Sequence, residues 1–215
     1  GLNRIRGFRL ILTILVNPIP VAGVVWLGWD GGIILILYWF ENVIIGVMTL
    51  PRVIAARGVV IHNGMPRTDA SLGVGCFFMI HYGIFCLVHG VFTLILATDF
   101  FLQSQGEGQV DPPIDRAFLW ALAGIFVLHL IALIRDWWIP RQWRQASPVG
   151  EMFRPYGRIF VLHITVLGGA WAMQAYGAPQ GAILLLCLLK AALELVTVWI
   201  AGLGIDPSKD RRIAS

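Results

Sequence analysis

The stretch GIILILYWFENVIIGVM, residues 32–48, decides the fold. Its centre reads Tyr38-Trp39-Phe40-Glu41-Asn42, with about two helical turns of apolar side chains on either side. A helix built from it suits a bilayer interior, and Glu41 and Asn42 then sit near mid-membrane. A carboxylate at that depth costs several kcal/mol unless it is paired, protonated or facing water, so it marks a functional site by default.

The rest of the chain agrees with a lipid environment. Of 215 residues, 58% are hydrophobic and 13% charged, where an ordinary soluble domain carries roughly 25% charged residues. Six apolar stretches can cross as helices, near 8–29, 32–50, 72–98, 117–138, 158–177 and 181–203. The expected fold is therefore all-α, a single-domain integral membrane bundle of six helices over 1–215. The basic start followed by a long apolar run, broken by Asn17-Pro18-Ile19-Pro20, does not read as a cleavable signal peptide. Those prolines predict a kinked or discontinuous first span. The turn at Trp29-Asp30-Gly31-Gly32 then makes the first two spans a hairpin.

The connecting charges fix the orientation. Of the sixteen basic residues, all but Arg116 and Lys190 fall on one side, while Asp30, Asp99, Glu107, Asp111 and Asp115 fall on the other. By the positive-inside rule both termini and the two basic loops are cytoplasmic. The net charge of +4 follows from this asymmetry, and no nucleic-acid partner is expected. The loop from Arg135 to Arg158 mixes Trp137, Trp138 and Trp143 with arginines, as interfacial segments and aromatic belts do, and membrane lipids are its expected contacts. The loop from Arg52 to Ser71 reads as lying along the membrane surface. Cys76, Cys86 and Cys187 all lie in apolar runs and read as packing residues.

Polar residues inside the spans carry what chemistry the sequence offers. Glu41, His81, His129 and Glu194 each fall about nine residues from a cytoplasmic helix end, and His163 about five, which places four of them in one layer. His89 lies about 12 Å further out than His81 and is rotated by about 80° from it. Imidazoles and carboxylates at one depth on different helices are how bundles build metal and cofactor sites. A divalent metal would be held by Glu41, His81, His129 and His163, with Glu41 as ligand or general base for hydrolysis. A haem would need two of His81, His129, His163 and His89 on facing helices, with Gly75, Gly83, Gly168 and Gly169 giving room. No Cys-x-x-Cys-His or His-Glu-x-x-His motif occurs.

Blander readings stand beside these. Glu194 follows Lys190 by four residues, so the two can pair within one helix. A membrane histidine commonly bonds a carbonyl or hydroxyl of a neighbouring helix, worth about 0.6 kcal/mol. Six spans with both termini inside resemble the rhomboid proteases, but their Gly-x-Ser-Gly nucleophile is missing: every serine, from Ser71 to Ser215, lies in a loop or the tail. A carrier is weakened by the lack of repeats and of further intramembrane charges.

The run at 38–42, together with His81-Tyr82-Gly83 and His89-Gly90-Val91-Phe92, resembles a bacterial family of small multi-pass membrane proteins of unknown function. The resemblance is concentrated in the second and third spans and implies no activity. Two functions therefore stay open. One is a membrane protein whose buried His/Glu site binds a metal ion or haem in a hydrolytic or redox role. The other is a non-catalytic accessory or scaffold subunit of a larger membrane complex, contacting helices, lipid or pigment, with other subunits or further copies of itself as partners.

Overall fold

The computed structural model describes residues 17–58, 60–62, 65–67, 71–104, 115–157, 159–160, 187–192 and 195–196. The described residues are helical apart from loops, turns and one short ribbon. Among them, three helices are long and apolar enough to cross a membrane, at Gly31–Ala55, Ser71–Thr98 and Arg116–Trp138. They match the expected spans at 32–50, 72–98 and 117–138. The spans expected near 8–29, 158–177 and 181–203 lie wholly or partly outside the described residues.

The first helix, α1, runs from Pro18 to Trp26. It begins at Pro18, and a helix's first turn suits proline, whose missing N–H goes unused there. Gly28 ends it with φ +67°, a conformation that glycine adopts without steric penalty. The chain turns back at once: the Trp29 amide donates to the Gly23 carbonyl at 3.0 Å, and the Trp29 ring lies on Gly23, where a Cβ would come within 2.0 Å of it. Asp30 then caps the next helix, its carboxylate accepting from the Ile33 amide at 2.9 Å.

That helix, α2 (Gly31–Ala55), is the centre of the fold. Its apolar stretch is 56% buried, against 17% and 22% for the other two long helices. A short antiparallel ribbon follows, β1 (Val60–His62) with β2 (Met65–Arg67), pairing His62 with Met65. The segment expected to lie along the membrane surface therefore contains a pair of antiparallel strands.

The long helix α3 (Ser71–Ser104) packs antiparallel along α2, small residue against large. A Cβ on Gly32 would meet the Ala97 backbone at 2.9 Å; Gly90 takes the Trp39 ring at 2.9 Å; Gly46 takes the Tyr82 ring at 2.3 Å; Gly75 takes Ile54 at 2.8 Å. On α2, Gly32, Trp39 and Gly46 recur every seven residues, the repeat that keeps one seam of a helix facing its partner, and Ile54 follows about two turns further on. With no hydrophobic driving force between helices in lipid, close backbone approach and interhelical hydrogen bonds hold such a pair. Two bonds cross the seam: Trp39 Nε1 donates to the Cys86 carbonyl at 2.7 Å, and the Tyr82 hydroxyl to the Asn42 carbonyl at 2.9 Å. The outer side of α3 carries Phe77, Ile80, Ile84, Leu87 and Phe92 exposed, an apolar surface suited to lipid rather than water.

The fourth helix, α4 (Arg116–Leu133), covers another side of α2. Asp115 caps it through the Phe118 amide at 2.7 Å. Phe118 sits between Trp29 and Phe40, with ring centroids 6.0 and 6.3 Å away. A π-helical turn at Ile134–Trp138 extends α4 to the arginine-rich end of the molecule. Beyond it Arg141 takes the left-handed conformation, φ 54°, at a cost of about 1–2 kcal/mol for a residue with a side chain. The 3-10 turn Gln142–Arg144 follows, and then a helix over residues 148–157, here α5. The chain leaving α2 docks here, with the Arg57 amide donating to the Trp143 carbonyl and the Gly58 amide to the Ala146 carbonyl, both at 2.8 Å.

Candidate functional site

Glu41 lies near the middle of α2, and the structure gives it a partner 149 residues away in the chain: the Lys190 ammonium donates to Glu41 Oε2. The side chains of Lys190 and Glu41 are only 6% and 4% exposed. One turn before Glu41, Tyr38 places its ring 4.1 Å from the same ammonium. The aromatic face adds a cation–π attraction, worth about 2 kcal/mol in a desolvated setting. Lys190 belongs to helical residues 187–192, whose Cys187 is buried in the same core as Tyr38, Leu37 and Ile34. The site is thus an ion pair on an aromatic floor that ties α2 to the helical residues 187–192.

Spacing alone offers Lys190 a partner one turn away in Glu194; the structure gives it Glu41, on another helix. Burial is the physical reason for that contact. A carboxylate held near mid-helix on a buried face needs a counter-charge or a proton, and Lys190 supplies the charge. Glu194 lies outside the described residues.

The other candidate ligands are distributed rather than gathered. His81 is on the exposed side of α3, its ring stacked between Phe77 at 5.4 Å and Tyr156 of α5 at 5.9 Å. Burial pushes the Tyr156 phenol above its ordinary value of 10.0, so it packs as a neutral ring at physiological pH. Tyr82, the next residue after His81, is the one that faces α2; a step of one residue turns the helix by about 100°. His89 stacks on Phe85 with centroids 3.9 Å apart and bonds its carbonyl through Nδ1 at 2.8 Å. His129 is buried on the face of α4 that carries Ile125 and Leu133, with Nδ1 2.9 Å from the Ile125 carbonyl. Both Nδ1 atoms donate one turn back along the histidine's own helix, each to a backbone carbonyl that can only accept. His163 lies outside the described residues.

Among the described residues, no group of three His, Cys, Asp or Glu side chains is placed to hold a metal ion. Glu41, His81 and His129 therefore do not converge on a common point. Lys190, Tyr38 and the two capping aspartates are the residues that sequence reasoning left without these roles. For Lys190 the usable signal was charge balance, since a carboxylate and an ammonium isolated in separate apolar spans neutralise each other. For Asp30 and Asp115 it was their position immediately before an apolar helical run.

The model of a family of unknown function (DUF6498) matches residues 2–210. No curated protein and no solved structure matches the chain.

Proposed function

The chain belongs to DUF6498, a family of unknown function, and we propose that it is a non-catalytic scaffold or accessory subunit of a membrane assembly. The observation that carries this reading is the commitment of Glu41 to Lys190. A carboxylate serving as ligand or general base must offer its lone pairs to a metal, a water or a substrate, and this one faces a buried ammonium. Buried ionic pairs of this kind are best attested as devices that fix register and partner choice. The outer surface supports the same reading. Gly73 and Gly83 on α3 and Gly124 on α4 have open space where a Cβ would point, and small residues on a membrane helix let a second helix approach closely.

The finer topology belongs to the proposal: six spans in a bacterial cytoplasmic membrane with both termini inside, supported by the arginine asymmetry. The test is sedimentation of the full chain extracted from its native membranes in a mild detergent. The proposal expects a species larger than one copy, with constant subunit ratios through successive purification steps. A monomer at every detergent concentration would overturn it.

A further inference from the structure

Arg57 and Arg144 share one aromatic ring. Their guanidinium carbons lie 5.0 and 5.1 Å from the Trp143 ring centroid, so the two charges are within roughly 10 Å of each other, about one Debye length at 0.1 M salt. Both side chains are exposed and Trp143 is half-buried. Neither arginine has a carboxylate partner among the described residues; nearby, Arg154 pairs with Glu151 at 2.9 Å. The segments that carry them are tied together by the Arg57-to-Trp143 and Gly58-to-Ala146 backbone bonds. They touch so closely that a Cβ on Gly58 would lie 2.5 Å from the Ala146 carbonyl oxygen. Two like charges are therefore held together with no carboxylate among the described residues to neutralise them.

Their depth says what would. Arg57 comes two residues after the end of α2, and Arg144 six after the end of the membrane-length segment Arg116–Trp138. Both positions fall where a bilayer places its headgroup phosphates. A guanidinium stacked on an indole keeps its N–H edge free, and that edge matches two phosphate oxygens at once. We propose that Arg57 and Arg144, stacked on Trp143, form a binding site for the phosphodiester of an anionic phospholipid headgroup.

The test is native mass spectrometry of the full chain in detergent, titrated with phosphatidylglycerol, with phosphatidylcholine, and with inorganic phosphate as competitor. Phosphatidylglycerol should bind at least about tenfold more tightly than phosphatidylcholine, and the double variant R57Q/R144Q should lose about 10- to 30-fold of that affinity. R116Q, at the opposite end of the molecule, should lose none. If the glutamine variant loses helicity, R57K/R144K takes its place. It retains charge without the planar fork and should bind with intermediate affinity. Unchanged binding in the substituted protein, or equal binding of the two lipids, would overturn the site. Full displacement by millimolar inorganic phosphate would identify it as a free-phosphate site instead and overturn the lipid assignment.

Discussion

Replacing Lys190 by methionine keeps the length of the side chain and removes its charge, leaving Glu41 buried at 4% exposure with no ammonium beside it. Breaking a buried pair from one side costs about 3–5 kcal/mol, because the surviving charge has lost both water and partner. Glu41→Gln strands the ammonium instead, but Tyr38 still faces it at 4.1 Å, an attraction of up to about 2 kcal/mol. E41Q should therefore be the milder of the two. The double variant E41Q/K190M strands no charge, and exchanging both members of such a pair for uncharged groups of similar size is often nearly neutral. The two single losses should then fail to add by more than about 2 kcal/mol, where independent sites add to within about 0.5 kcal/mol. The assay is equilibrium unfolding in mixed dodecylmaltoside and dodecyl sulfate micelles, followed by helicity. Additive losses would refute the contact, as would K190M being as stable as the unsubstituted chain.

Two further substitutions examine the helix seam and the caps by the same unfolding assay. Gly46→Ala sets a methyl group 2.3 Å from the Tyr82 ring and should cost about 1–3 kcal/mol by overpacking. Gly83→Ala, with open space around its Cβ position, should change stability by less than about 0.5 kcal/mol. Asp30→Ala and Asp115→Ala each remove the acceptor for a helix-starting amide and should each cost about 1 kcal/mol. Asparagine at either place should restore most of the loss, since its side-chain oxygen serves the same amide.

The long helices were legible because bilayer thickness imposes a length and a polarity that a single sequence displays. The runs at 32–50, 72–98 and 117–138 needed only counting. The helix start at Pro18 was equally plain, since proline's missing donor acts locally. What depends on rotation was not legible. His81 and Tyr82 lie at nearly the same depth, yet Tyr82 bonds α2 and His81 faces outward, a difference set by which residues of α3 meet Gly46 and Trp39. The glycine seam itself was visible as a seven-residue spacing through Gly32, Trp39 and Gly46, once α3 was known to lie antiparallel beside it. The Glu41–Lys190 contact joins residues 149 positions apart, and no local spacing rule reaches that far. The i,i+4 rule sees only one helix, so from Lys190 it reaches Glu194, outside the described residues, and not Glu41.

The most direct measurement is an absorption spectrum with elemental analysis of the detergent-purified chain, alongside its E41Q variant. With Glu41 committed to Lys190, the account predicts no Soret band, zinc, iron or copper well below one atom per chain, and identical results for E41Q. A Soret band, or near-stoichiometric metal that falls sharply in E41Q, would contradict it and make Glu41 a ligand.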